Sequence, residues 1–242
     1  MTVLVMAAIG VVAGFVLDAL IARLAREPYE RGEIEEDDLR LKKDGGLELN
    51  SESGALAMPI LLTTRSLVRS IIVVAATTAI FALLGRQYRG DGVWELLIVS
   101  CYASVLIICT ATDILAYRVP NAITYPAIVA AIAIGMVMPG ANRLDVLVGG
   151  LVFGGPLFIP SLLTGGTMGM GDVKLAFFVG FALGLTFVVP AMLVMAISGG
   201  FAAAIMLVTR LRGKGDPIPY APFIAGGMLL VLLLQGTAFR AV

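Results

Sequence analysis

The chain has 242 residues, of which 59% are hydrophobic and only 14% are charged, and its formal net charge is zero. Ordinary soluble domains carry about 25% charged residues, so this chain has too little polar surface to remain in solution. The balanced charge provides no basic surface for nucleic acid. The absence of histidine excludes Ser-His-Asp and Cys-His catalysis and every histidine metal site. Any chemistry must come from carboxylates, hydroxyls, lysine or the backbone.

Eight apolar segments are long enough, or nearly long enough, to cross a bilayer, which takes roughly 20 helical residues. The stretch 173–209 is too long for one crossing, so we divide it near Gly184 and expect a short first half. The sequence predicts an all-α membrane protein, a polytopic helical bundle. Its segments are expected at 3–24, 66–84, 93–110, 122–138, 144–163, 173–184, 185–209 and 219–235.

Three parts are expected in chain order: a first transmembrane helix in 1–25, a cytoplasmic polar loop in 26–65 and a multi-helix membrane core in 66–242. The loop contains an acidic run at 33–38 and shows no catalytic pattern. Asp18 lies inside the first segment. We expect it to reach toward water or to pair with a nearby arginine.

The basic residues predict an orientation. If the loop after the first segment is cytoplasmic, thirteen of the 17 lysines and arginines lie on the cytoplasmic side. This distribution agrees with the positive-inside rule, although one loop supplies much of the bias. Both termini are then extracytoplasmic, and Asp113 and Asp172 both fall at cytoplasmic ends of segments. The four basic residues on the other side are Arg86, Arg89, Arg143 and Arg240.

A glycine-rich stretch at 165–174, GGTMGMGDVK, contains Asp172 between two apolar segments. Its glycines allow an extended peptide to approach the backbone closely. An ionisable residue near membrane depth is a functional candidate, and Asp113 is its expected partner. Two carboxyl groups that share a proton can hydrolyse a peptide bond without a covalent intermediate. The ionised member takes a proton from water, and the protonated member polarises the carbonyl.

Each of these residues also has a simpler interpretation. Asp172 precedes an apolar helix and could be its N-cap, and Asp113 could be a solvated charge at a helix end. Lys174 could be the general base of a Ser-Lys hydrolase, but no serine lies beside it in the sequence. A lysine at a helix end more often extends toward water.

Four motifs in order resemble those of the type IV prepilin peptidases. GMGDVK at 169–174 resembles their GxGD signature, and DILAYRVPN at 113–121 resembles their other aspartate motif. IPYAPFIA at 218–225 and GFVLDALIARL at 14–24 are similar to two further family motifs. In the last of these, Asp18 stands where the family has asparagine and Phe15 where it has serine.

The resemblance implies an intramembrane aspartic endopeptidase of the bacterial inner membrane. It would cleave the leader of type IV prepilin or pseudopilin precursors at the cytoplasmic face of the lipid bilayer, with Asp113 and Asp172 as its catalytic pair. Gly169, Gly171 and Lys174 would belong to the active-site loop. Four further residues are expected to be structural. Pro120 and Asn121 would end one segment and cap the next, and Pro219 and Pro222 would hold an irregular start to the last helix.

The loop after the first segment departs from many family members, which carry two CxxC pairs there. It has no cysteine, so a tetrahedral Cys₄ zinc site is impossible and we predict no metal. Such members often also methylate the new N-terminus with S-adenosylmethionine. Nothing in the loop indicates a methyl-donor site, so the sequence leaves methylation open and the peptidase activity itself is expected to need no cofactor.

Three other functions remain open. In a proton- or cation-coupled transporter, Asp18, Asp113 and Asp172 would form an ion path, but its carboxylates should lie near the midplane rather than at one face. A catalytically inactive scaffold would not need both aspartates. A presenilin-like GxGD protease shares the aspartate pair but does not explain the motifs at 113–121 and 218–225 as well.

Overall fold

The computed structural model describes residues 1–30, 54–138, 141–163, 169–209 and 219–234. Helices are the regular elements of this part of the chain. They are α1 (Thr2–Glu30), α2 (Gly54–Gln87), α3 (Val93–Ala116), α4 (Asn121–Val137), α5 (Arg143–Leu163), α6 (Met170–Val208) and α7 (Ala221–Leu234).

Among the described residues, five helices are long and apolar enough to cross a membrane, judged by length and composition. They contain the spans Thr2–Ala25, Leu67–Gln87, Val93–Ala116, Arg143–Leu163 and Met170–Met206, while α4 and α7 are shorter apolar helices. Large apolar side chains such as Val129 and Ile197 are 67% and 70% exposed on the outside of the bundle. Such a surface suits lipid contact, so the prediction of an all-α multi-pass membrane protein is confirmed.

Helix α6 holds two of the eight predicted segments, and the division falls at Gly184. This residue has φ 71° and ψ 172°, a conformation essentially limited to glycine. Just beyond the bend, the backbone N–H and the hydroxyl of Thr186 donate to Oδ1 of Asp145, at 3.1 and 2.9 Å. The start of the second half is thus capped by a carboxylate from α5.

The core forms where α3, α6 and α7 meet. Tyr102 and Phe178 contact edge to face there with ring centroids 5.4 Å apart, and Leu183 and Met228 are fully buried beside them. Helix α5 packs along α6 in the most extensive helix contact of the described residues. The fixed core sets the positions of the ends of α3 and α6, which carry the two aspartates.

Helices α1 and α2 pack against each other and extend beyond their predicted segments. Helix α2 begins at Gly54, inside the predicted polar loop, although its membrane-compatible part starts only at Leu67. Asp18 of α1 accepts hydrogen bonds from Nε of Arg69 at 2.8 Å and from the hydroxyl of Ser70 at 2.6 Å. Asp18 therefore pairs with an arginine, as expected, but that arginine lies on the neighbouring helix.

Candidate active site

A cavity of about 570 Å³ opens where α3 ends and α6 begins. Asp113 and Asp172 both line it, so the structure brings the two predicted residues to one site. Leu24, the last residue of the motif at 14–24, adds a wall from α1 and was not among the predicted site residues. The remaining lining comes from Thr112, the segment 116–122, the segment 169–171 and Lys174.

Asp113 lies near the end of α3 and is only 5% exposed. Helix α3 stops at Ala116, and Tyr117 adopts a left-handed conformation with φ 50°. The N–H of Tyr117 donates to the backbone carbonyl of Asp113 at 2.8 Å, which closes the helix. The chain then turns to form one wall of the cavity. Because Asp113 is buried, it is not a solvated charge at a helix end.

The side chain of Asp113 is held from the far end of the chain. Its Oδ2 accepts a hydrogen bond from the backbone N–H of Ala221, the first residue of α7, at 3.0 Å. Ala221 was not predicted from the sequence, because its donor is a backbone N–H, which does not depend on the type of residue. The only signal was that the motif at 218–225 resembles one in the prepilin peptidases.

Asp172 is the third residue of α6 and is 8% exposed. It is not the N-cap, because the helix begins two residues earlier at Met170. Its backbone N–H donates to the carbonyl of Gly169 at 3.0 Å, which places the carboxyl group in the first helical turn. Its Oδ1 is buried and has no hydrogen-bond partner among the described residues. A polar oxygen in that situation is available to a substrate or a water molecule.

The two aspartate-bearing segments touch at Gly171 and Val119. A Cβ added at Gly171 would lie 2.8 Å from Cβ of Val119 and 3.2 Å from its Cγ2. Carbon atoms normally approach to about 3.5–4.0 Å. Only glycine therefore allows this approach between the start of α6 and the loop that follows Asp113. Gly169 lies beside the carboxyl group of Asp172, since an added Cβ there would be 3.2 Å from its Oδ2.

Lys174 makes a second link between these segments. Its Nζ donates to Oδ1 of Asn121 at 2.9 Å and lies 4.6 Å from the centre of the Tyr125 ring. Asn121 is the first residue of α4 rather than its cap, since Pro120 occupies the cap position and makes no side-chain cap bond. That part of the prediction is wrong, because the amide oxygen of Asn121 faces the lysine. Tyr125 was not anticipated.

The other predicted residues lie around this arrangement. Pro222 is the second residue of α7 and Pro219 lies just before the helix, so both belong to its start as expected. Asp18 is engaged by Arg69 and Ser70 and does not line the cavity. The three-carboxylate ion path of the transporter alternative is therefore not formed by these residues. In the described ranges, no three Cys, Asp or Glu side chains come together as a metal site would require.

The fold and site define a multi-pass helical membrane protein with two buried aspartates in one cavity. Residues 100–208 match the type IV leader peptidase family, and this stretch carries both aspartates. The motifs at 113–121 and 169–174 lie inside this match, which confirms their resemblance to the prepilin peptidases.

One curated relative is the prepilin leader peptidase/N-methyltransferase of Bacillus subtilis (strain 168). It is 32% identical over 160 residues, which cover 65% of this chain and 62% of that protein. The chain thus matches about three fifths of the relative's length. No solved structure matches the chain significantly.

Proposed function

We propose that this protein is an intramembrane aspartic endopeptidase that removes the leader from type IV prepilin-like precursors. The observation that carries the proposal is the cavity lined by both Asp113 and Asp172. Each is almost fully buried, so each carboxyl group is separated from bulk water but open to the cavity. The match of residues 100–208, which bear both aspartates, to the type IV leader peptidase family supports the same activity.

The reaction is general acid–base hydrolysis. The ionised aspartate takes a proton from water as the water oxygen attacks the scissile carbonyl carbon. The protonated aspartate gives its proton to the carbonyl oxygen, which forms a gem-diol. The C–N bond then breaks while the first aspartate returns its proton to the leaving nitrogen. One gem-diol hydroxyl proton passes back to the second aspartate, so the enzyme ends in its starting state.

The substrate is a precursor whose short basic leader precedes an apolar helix. The distribution of lysines and arginines favours a cytoplasmic position for the cavity, at the level where such a leader would leave the membrane. Methyl transfer is named for the Bacillus relative and is not part of this proposal. The loop 26–65 lies mostly outside the described residues, so methylation stays open, as it was from the sequence.

Co-expression with a prepilin-like precursor in membranes tests the proposal, with loss of the leader followed by gel mobility. Asp113→Asn and Asp172→Asn keep size and hydrogen bonding but cannot exchange the proton, so each should lower cleavage about 10²–10⁴-fold. Asp145→Asn is the matched control, because this carboxylate caps α6 away from the cavity. It should cleave like the wild type.

Normal cleavage by either cavity variant would contradict the aspartic mechanism and make Lys174 the next residue to change. A wild-type protein that cleaves no precursor, with correct membrane insertion, would remove the peptidase function itself.

A further inference from the structure

Helix α7 begins directly beside Asp113. Ala221 is its first residue and is fully buried, and its N–H donates to Oδ2 of Asp113 at 3.0 Å. A hydrogen bond from a neutral donor to a charged acceptor is stronger than one between neutral groups. The N-terminus of a helix also carries partial positive charge. The carboxyl group of Asp113 thus lies where negative charge is stabilised.

The sequence at the start of α7 limits the number of donors there. The first N–H groups of a helix have no partner within the helix. Pro222, the second residue, has no N–H to give. The N–H of Phe223 donates to the carbonyl of Tyr220 at 3.0 Å, and the two rings contact with centroids 6.2 Å apart. The N–H of Ala221 is therefore the one that this turn directs at the carboxyl group.

The second carboxyl group has different surroundings. Oδ1 of Asp172 is buried and finds no donor in the part of the chain that the structure describes. A buried carboxylate oxygen without a donor is costly, whereas a protonated carboxyl group can itself donate. The two members of the pair are thus unequal before any substrate binds.

We infer that the backbone N–H of Ala221 is a positioning group that assigns different roles to the two aspartates. It holds Asp113 as the charged member that activates water, and it leaves the shared proton on Asp172, which polarises the scissile carbonyl. The inference rests on the proposed peptidase function and deepens it. It gives the motif at 218–225 a chemical role, since the proline at 222 keeps the turn from offering a competing donor.

An amide-to-ester exchange tests this role most directly. Replacement of Ala221 by lactic acid removes the N–H and retains the methyl side chain. Because a hydrogen bond to a charged group contributes about 1.5–3 kcal/mol, kcat should fall about 10–100-fold. The KM for the precursor should stay within about threefold, since Ala221 is fully buried and is not among the cavity-lining residues.

Replacement of Phe223 by phenyllactic acid is the matched control. It also removes an N–H from the first turn of α7, but that group donates to Tyr220 and not to the aspartate. Any loss through a weakened helix start should appear in both esters. The 223 ester should keep kcat within about threefold of the wild type. Ala221→Gly keeps the N–H and should cleave at least fivefold faster than the 221 ester.

All rates are taken per folded molecule, with folding measured by thermal unfolding in detergent. Ala221→Pro provides a second removal of the same N–H, since proline is tolerated at the first helical position. A 221 ester with wild-type kcat, or two esters with equal losses, would overturn the inference. Absence of cleavage by the wild type in the same assay would instead remove the proposed function, and this role with it.

Discussion

Gly171→Ala is the sharpest test of how the two aspartates are positioned. The added Cβ would lie 2.8 Å from Cβ and 3.2 Å from Cγ2 of Val119. Because ordinary carbon contacts are about 3.5–4.0 Å, the two segments must separate by roughly 0.7–1.2 Å. One segment follows Asp113 and the other carries Asp172, so the distance between the carboxyl groups changes with them. A misplacement of about 1 Å can lower a rate about 10²-fold.

The assay is leader cleavage in detergent, with kcat and KM measured separately and folding followed by thermal unfolding. We expect kcat to fall about 10–100-fold and the free energy of unfolding to fall by about 1–3 kcal/mol through overpacking. Gly155→Ala is the matched control, because an added Cβ there meets no atom within 4 Å. It should leave cleavage unchanged and stabilise helix α5 slightly.

A second substitution gives a graded rescue. Val119→Ala removes Cγ2 but leaves the Cβ that makes the closer contact, whereas Val119→Gly removes both atoms. Combined with Gly171→Ala, the glycine variant should therefore recover more activity than the alanine variant. Wild-type kcat in Gly171→Ala, or equal rescue by the two substitutions, would refute the geometric argument.

Three further predictions concern other contacts of the fold. Lys174→Met and Asn121→Ala should each lower kcat about tenfold, because each removes the hydrogen bond between these two side chains. The double variant should be no worse than either single variant, and additive losses in the cleavage assay would contradict a shared role. Gly184→Ala should lower the free energy of unfolding by about 1–3 kcal/mol, because alanine does not readily adopt φ 71° with ψ 172°. Thermal unfolding measures the change in stability, and an unchanged unfolding midpoint would contradict the prediction. Asp18→Asn should lower the free energy of unfolding by about 1–3 kcal/mol, because it leaves Arg69 without its charged partner. Adding Arg69→Met should recover part of that loss, and a further loss of stability would contradict this explanation.

The membrane bundle and its aspartate pair could be predicted because both depend on segment length and order. Asp113 ends one segment and Asp172 begins another, so counting crossings puts them on the same side. The division of α6 at Gly184 followed from length alone, and the structure confirms it.

The contacts around the pair could not be predicted, because they depend on the register between helices. Asp18 was expected to find a nearby arginine, but its partner is 51 residues away on α2. Asn121 reads as a capping residue and instead accepts a hydrogen bond from Lys174. The N–H of Ala221 is a backbone donor of the kind that every residue except proline has, so the residue type at 221 does not mark it as part of the site.

The bend at Gly184 has a consequence for the surrounding lipid. The half of α6 that precedes it, 170–183, spans ~21 Å at 1.5 Å per residue. The hydrocarbon core of a bilayer is about 30 Å thick, so this half-helix is too short to match it. A short apolar span is accommodated by local thinning of the bilayer or by polar groups reaching inward. Either adjustment shortens the hydrocarbon path between bulk water and Asp172, which lies at the start of this half-helix.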